Sequence, residues 1–127
     1  MLFRSSYETR QWILKHGCDW EHPVAVPTIH PNPCLEGQVA DRADEIAYLN
    51  HDLDDGLRSG LLTLEQLEGV ELWARERRAV EARMSGAPER VLRAQTLVAL
   101  INRLVTELVE ESARRIVEAG VASPQDV

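Results

Sequence analysis

Between Pro88 and Gly120, apolar residues return every three or four positions. Leu97, Ile101, Leu104 and Leu108 carry the repeat, and Val98, Val105 and Val109 widen it. That spacing brings side chains back to one side of an α-helix, so the stretch is committed to helix with an apolar side to bury. Pro88 suits a first helical position and Gly120 a stop, which predicts a helix over about 88–118. The rest of the chain reads the same way. Thr63 and Gln66 have the spacing of a capping box and open a helix expected over about 64–84, ahead of Gly86. A helix over about 35–57 is ended by Gly56 or Gly60. Ser5 and Glu8 form another capping box before a short helix over about 6–16 that stops at Gly17. Pro23, Pro27, Pro31 and Pro33 remove backbone donors and fix φ, which makes 18–34 an irregular connection. No strand signal and no internal repeat is visible. The expected fold is all-α, with about four helices.

The 127 residues suffice for one domain with a modest core. A formal net charge of −7 disfavours non-specific binding to a phosphate backbone, so nucleic acid is not an expected partner. Arg75, Arg77, Arg78 and Arg83 cluster locally, but Glu71, Glu76 and Glu81 are interleaved with them, the pattern of a charge-laced solvent face. No apolar run approaches the roughly 20 residues that span a bilayer, and Met1–Arg10 lacks the apolar stretch of a secretory signal. The expected location is the cytoplasm, with Cys18 and Cys34 as reduced thiols. Together with His16, His22 and His30 they show no recognised zinc spacing. Ser123-Pro124 reads as an N-cap and a first-turn proline, with Asp126 in the first turn. A helix start so close to Val127 is the pattern of a truncated product.

The helix over 35–57 sorts into two sides. Leu35, Val39, Ala43, Ile46, Leu53 and Leu57 share one arc, and Asp41, Asp44, Tyr48, Asp52 and Asp55 share the opposite one. Asp44 and Asp52 lie about 12 Å apart along the axis. Such a row fits a solvated acidic surface. It also fits a binding face, because like charges stacked one turn apart destabilise a bare helix and a cation or hydroxyl-rich ligand relieves them. Hard oxygen donors suit Mg²⁺ or Mn²⁺, and a tyrosine amid the acids offers a flat surface to a sugar or base.

The run Leu35-Glu36-Gly37-Gln38-Val39-Ala40-Asp41-Arg42-Ala43-Asp44-Glu45-Ile46-Ala47-Tyr48, continuing through Asn50-His51-Asp52-Leu53-Asp54-Asp55-Gly56-Leu57-Arg58-Ser59-Gly60-Leu61-Leu62, resembles a hallmark stretch of the dGTP triphosphohydrolase-like proteins of the HD family. Tyr7-Glu8-Thr9-Arg10 with Ile13-Leu14-Lys15-His16, and Ile101-Asn102-Arg103-Leu104-Val105-Thr106-Glu107-Leu108, are similar to flanking helices of that family. The resemblance implies a carboxy-terminal portion of a partial HD-type helical fold. It implies that Asp44 is the last of the metal ligands, that Tyr48 packs on the deoxyribose, and that Asp52 bonds the sugar 3′-hydroxyl. Asp41 and Asp55 receive no role. The implied parent reaction takes a dNTP and water to a deoxynucleoside and triphosphate, with Mg²⁺ or Mn²⁺ as cofactor.

The family's other ligands, a histidine and a His-Asp pair, precede the matched region. His51-Asp52 is a His-Asp dipeptide, but it follows the metal aspartate and Asp52 already matches the sugar position. One carboxylate does not retain a divalent ion. The chain alone is therefore expected to be inactive and not to keep the metal, unless an amino-terminal half or a homo-oligomer supplies the remaining groups. The competing expectation is a non-catalytic helical module that associates through the apolar stripe of the last helix.

Overall fold

Residues 34–123 and 126 are described by the computed structural model. Among the described residues there are four helices and no strand: α1 (Leu35–Ser59), α2 (Leu64–Glu68), α3 (Glu71–Arg83) and α4 (Glu89–Ala119). The all-α expectation holds. The expected helix over 6–16 and the connection over 18–33, with His16, Cys18, His22 and His30, lie outside the described residues. No described helix is long and apolar enough to cross a membrane.

α1 runs two residues past the expected end. Gly56 does not stop it: the glycine lies inside the helix because Leu62 folds back against it. A Cβ at position 56 would sit 2.7 Å from Leu62 Cδ1, and the Leu62 N–H donates to the Gly56 carbonyl at 3.0 Å. The stop falls at Gly60, whose φ of 77° is left-handed and favours glycine.

The helix expected over 64–84 is two helices. The capping box is present: Thr63 Oγ1 accepts from the Gln66 N–H at 3.2 Å, and Gln66 Oε1 accepts from the Thr63 N–H at 2.9 Å. After five residues α2 ends at Gly69, and Val70 takes extended geometry before α3. Packing explains the break. Leu67 and Trp73 are both buried, at 7% and 2% exposure. In one unbroken helix, positions six apart point about 120° away from each other. The kink lets both enter the same core.

α4 begins one residue after Pro88, whose carbonyl accepts from Val91 and Leu92. It closes with the Gly120 N–H bonded to Val117 and the Val121 N–H to Ile116, the paired bonds that satisfy a helix's last carbonyls.

Two compact units divide the chain, Ala43–Glu110 and Met1–Arg42 with Glu111–Val127. The core of the first is Leu67, Trp73, Leu97 and Leu100, with Leu53, Leu57, Leu64, Leu72 and Leu104 packed on it. The apolar stripe of α4 is narrower than its sequence suggests. Leu97, Leu100 and Leu104 reach the core, whereas Val98, Ile101, Val105 and Val109 are exposed. Arg77 ties α3 to α4 in the same unit. It donates twice to Glu89, at 2.8 and 2.7 Å, and once to Glu81 at 2.6 Å. The Glu89 carboxylate is held below its ordinary range by that guanidinium. In the second unit, the Asp126 carboxylate accepts from the Ser123 N–H at 2.7 Å and from the Ser123 hydroxyl at 2.9 Å.

Candidate functional site

α1 is unbroken across every position of its acidic row. Asp44, Tyr48 and Asp52 follow one another at i, i+4, i+8, so they rise along one side of the helix. All three are exposed, Tyr48 by 64%. Asp55 is exposed as well, and Asp41 is half-buried. The opposite arc behaves differently along its length. Ile46, Leu53 and Leu57 are half-buried, while Val39 and Ala43 are exposed.

Arg58 lies 3.2 Å from Asp54, off the row. His51 Nδ1 lies 3.3 Å from Asp55 Oδ2, so the imidazole pairs locally within its own helix. Asp44 and Asp52 form no ion pair with a described residue. Asp52 lines a shallow depression of about 670 Å³ with Asp55, Gly56, Arg58, Ser59 and Leu61. Ser59 and Leu61, which flank Gly60 at the end of α1, line this depression with the acids.

What the row can do chemically follows from these groups. An exposed carboxylate accepts hydrogen bonds from sugar hydroxyls, and an exposed phenol ring packs against a sugar face. A divalent cation needs several oxygen or nitrogen donors. Among the described residues no three His, Cys, Asp or Glu side chains converge. The described residues therefore do not form a complete metal site.

Sequence reading missed Asn50. It sits with Ile46, Leu53 and Leu57 on the core side of α1 and is 4% exposed, yet its Oδ1 has no partner among the described residues. Only its place on the apolar arc hinted at that burial.

A protein of Ralstonia nicotianae, named deoxyguanosinetriphosphate triphosphohydrolase-like protein, is 44% identical over 128 residues, covering 96% of this chain and 33% of its own length. A protein of the same name from Azoarcus sp. (strain BH72) is 42% identical over 127 residues, with 95% and 33% coverage. The chain is homologous to a carboxy-terminal part of the deoxyguanosinetriphosphate triphosphohydrolase-like proteins. A third such protein, from Geobacter sulfurreducens, is 36% identical over 125 residues. The chain spans about a third of the length of these triphosphohydrolase-like relatives. No family model matches the chain, and no solved structure gives a significant match.

Proposed function

We propose that this chain is the sugar-binding part of a cytoplasmic dNTP triphosphohydrolase of HD type, acting on dGTP or a related dNTP. The continuous exposed row Asp44–Tyr48–Asp52 on α1 supports this reading most directly, and the names of its relatives support the substrate class. Tyr48 packs its ring on the deoxyribose, and Asp52 accepts a hydrogen bond from the 3′-hydroxyl. Asp44 contributes one carboxylate to a Mg²⁺ or Mn²⁺ site. The ion's other ligands come from the two-thirds of the relatives that the chain does not span, or from another subunit. The chemistry such an ion would supply is polarisation of the substrate's phosphate. The part played by this chain's own residues is to hold and orient the sugar.

Titration of the 127-residue chain with deoxyguanosine tests the reading. Saturable binding that falls about tenfold in Tyr48→Ala, equivalent to ~1.4 kcal/mol, is expected. Binding that is absent, or indifferent to Tyr48, overturns it. The chain by itself is expected to release no triphosphate from dGTP.

A second reading, a helical interaction module, is favoured by the exposed row Val98, Ile101, Val105 and Val109 on α4. Sedimentation decides it: self-association abolished by Val105→Asp supports that role, and a monomer at all concentrations removes self-association.

A further inference from the structure

Asn50 donates its amide N–H to the Ile46 carbonyl at 2.7 Å, which fixes the side chain and leaves Oδ1 buried without a donor. Arg93 on α4 presents the complementary defect: its Nε–H is buried without an acceptor. Both residues line one groove of about 830 Å³, which His51, Asp54, Arg58 and Arg90 also line. Buried polar groups in folded proteins nearly always have partners, so an orphan acceptor and an orphan donor on one groove point to something that fills it.

The charges around the groove indicate what that is. Asp54 is engaged by Arg58 at 3.2 Å. Glu89, the acid beside Arg93 on α4, is held by both terminal nitrogens of Arg77. Arg90 and Arg93 form no ion pair with a described residue. Two guanidinium groups thus line one groove of a chain whose net charge is −7; Arg93 is near enough to Glu89 for its charge to act on that carboxylate, but Glu89 is bonded to Arg77. Their planar forks match phosphate oxygens bidentately.

We infer that this groove, lined from α1 and α4, binds a phosphate-bearing ligand, whose oxyanions accept from Arg90 and Arg93 and whose hydroxyl or N–H donates to Asn50 Oδ1. The groove lies roughly a quarter turn around α1 from Asp44, Tyr48 and Asp52. It does not depend on the sugar-binding reading.

Isothermal titration of the full chain with inorganic triphosphate tests it. Saturable binding is expected, weakened at least tenfold by Arg90→Ala with Arg93→Lys and unchanged by Tyr48→Ala. Circular dichroism checks the fold. Arg90 is exposed, so Arg90→Ala alone, expected to weaken binding at least threefold, keeps the test valid should the Arg93 variant unfold. In the Tyr48→Ala background, dGTP binding more tightly than triphosphate, with the advantage lost in Asn50→Leu, supports a nucleotide as the ligand. Equal affinities support an inorganic polyphosphate. No saturable binding, the result for a groove holding only water, overturns the inference. So does an affinity indifferent to both arginines. Failure of deoxyguanosine binding with triphosphate binding intact sinks the sugar-binding reading and leaves this one standing.

Discussion

At the scale of single residues, α1 stops at Gly60 and leaves Gly56, the other glycine expected as a possible stop, inside the helix. Helix propensity alone favours alanine there by about 1 kcal/mol. Against it stands the Leu62 side chain, 2.7 Å from where the new methyl would sit. Gly56→Ala should therefore yield no gain in stability, and in a Leu62→Ala background the gain of ~1 kcal/mol should reappear. Thermal denaturation of the four chains measures the coupling, and a full gain in the native background would show that Leu62 yields freely. Gly60 and Gly56 are four residues apart, and only the packing of a later residue distinguishes them. Asn50 is the same lesson in polar form. Local chemistry made Thr63 and Gln66 legible as a cap because both partners lie within one turn. Asn50 Oδ1 has no partner among the described residues, so no neighbouring residue in the sequence marks it.

At the scale of helices, helical type was legible across the described helices, because periods of three and four survive any tertiary arrangement. The break at Gly69–Val70 was not, because it serves the burial of Leu67 and Trp73 rather than any local preference. The breadth of the α4 stripe was overread for a related reason: apolar spacing shows which side is buriable, not how much is covered. Charge patterning was more informative. Glu111 accepts from Arg114 at 2.6 Å and from Arg115 at 2.6 Å, and these hydrogen bonds lower its pKa from 4.5 to about 2. A depressed carboxylate stabilises the folded helix fully above its unfolded pKa, and loses that contribution as pH falls through its folded one. The last turns of α4 should therefore stay helical down to about pH 4.5 and fray between there and about pH 2. Backbone chemical shifts of residues 111–119 report this. In Glu111→Gln the acid-dependent component should vanish, and an identical acid profile in that variant would assign the fraying to another group.

At the scale of the molecule, the acidic row is a cost that the core of the Ala43–Glu110 unit must carry. Asp44 and Asp52 are exposed, have no cationic partner among the described residues, and belong to a chain already at net charge −7. Self-repulsion of that kind weakens a compact state, and like charges one turn apart weaken a helix by a few tenths of a kcal/mol per pair. Asp52 stands one turn before Asp55, so Asp52→Asn removes one such pair and shifts the net charge toward zero. A row that were merely solvated surface would gain stability from this change and lose nothing else. A binding row would gain the same few tenths of a kcal/mol, seen as a slightly higher midpoint in urea, and lose affinity for deoxyguanosine, because an amide accepts the 3′-hydroxyl's hydrogen bond more weakly than a carboxylate. The expected outcome is this opposition of stability and binding in one variant. Should Asp52→Asn bind deoxyguanosine as well as the native chain, the carboxylate has no part in holding the sugar.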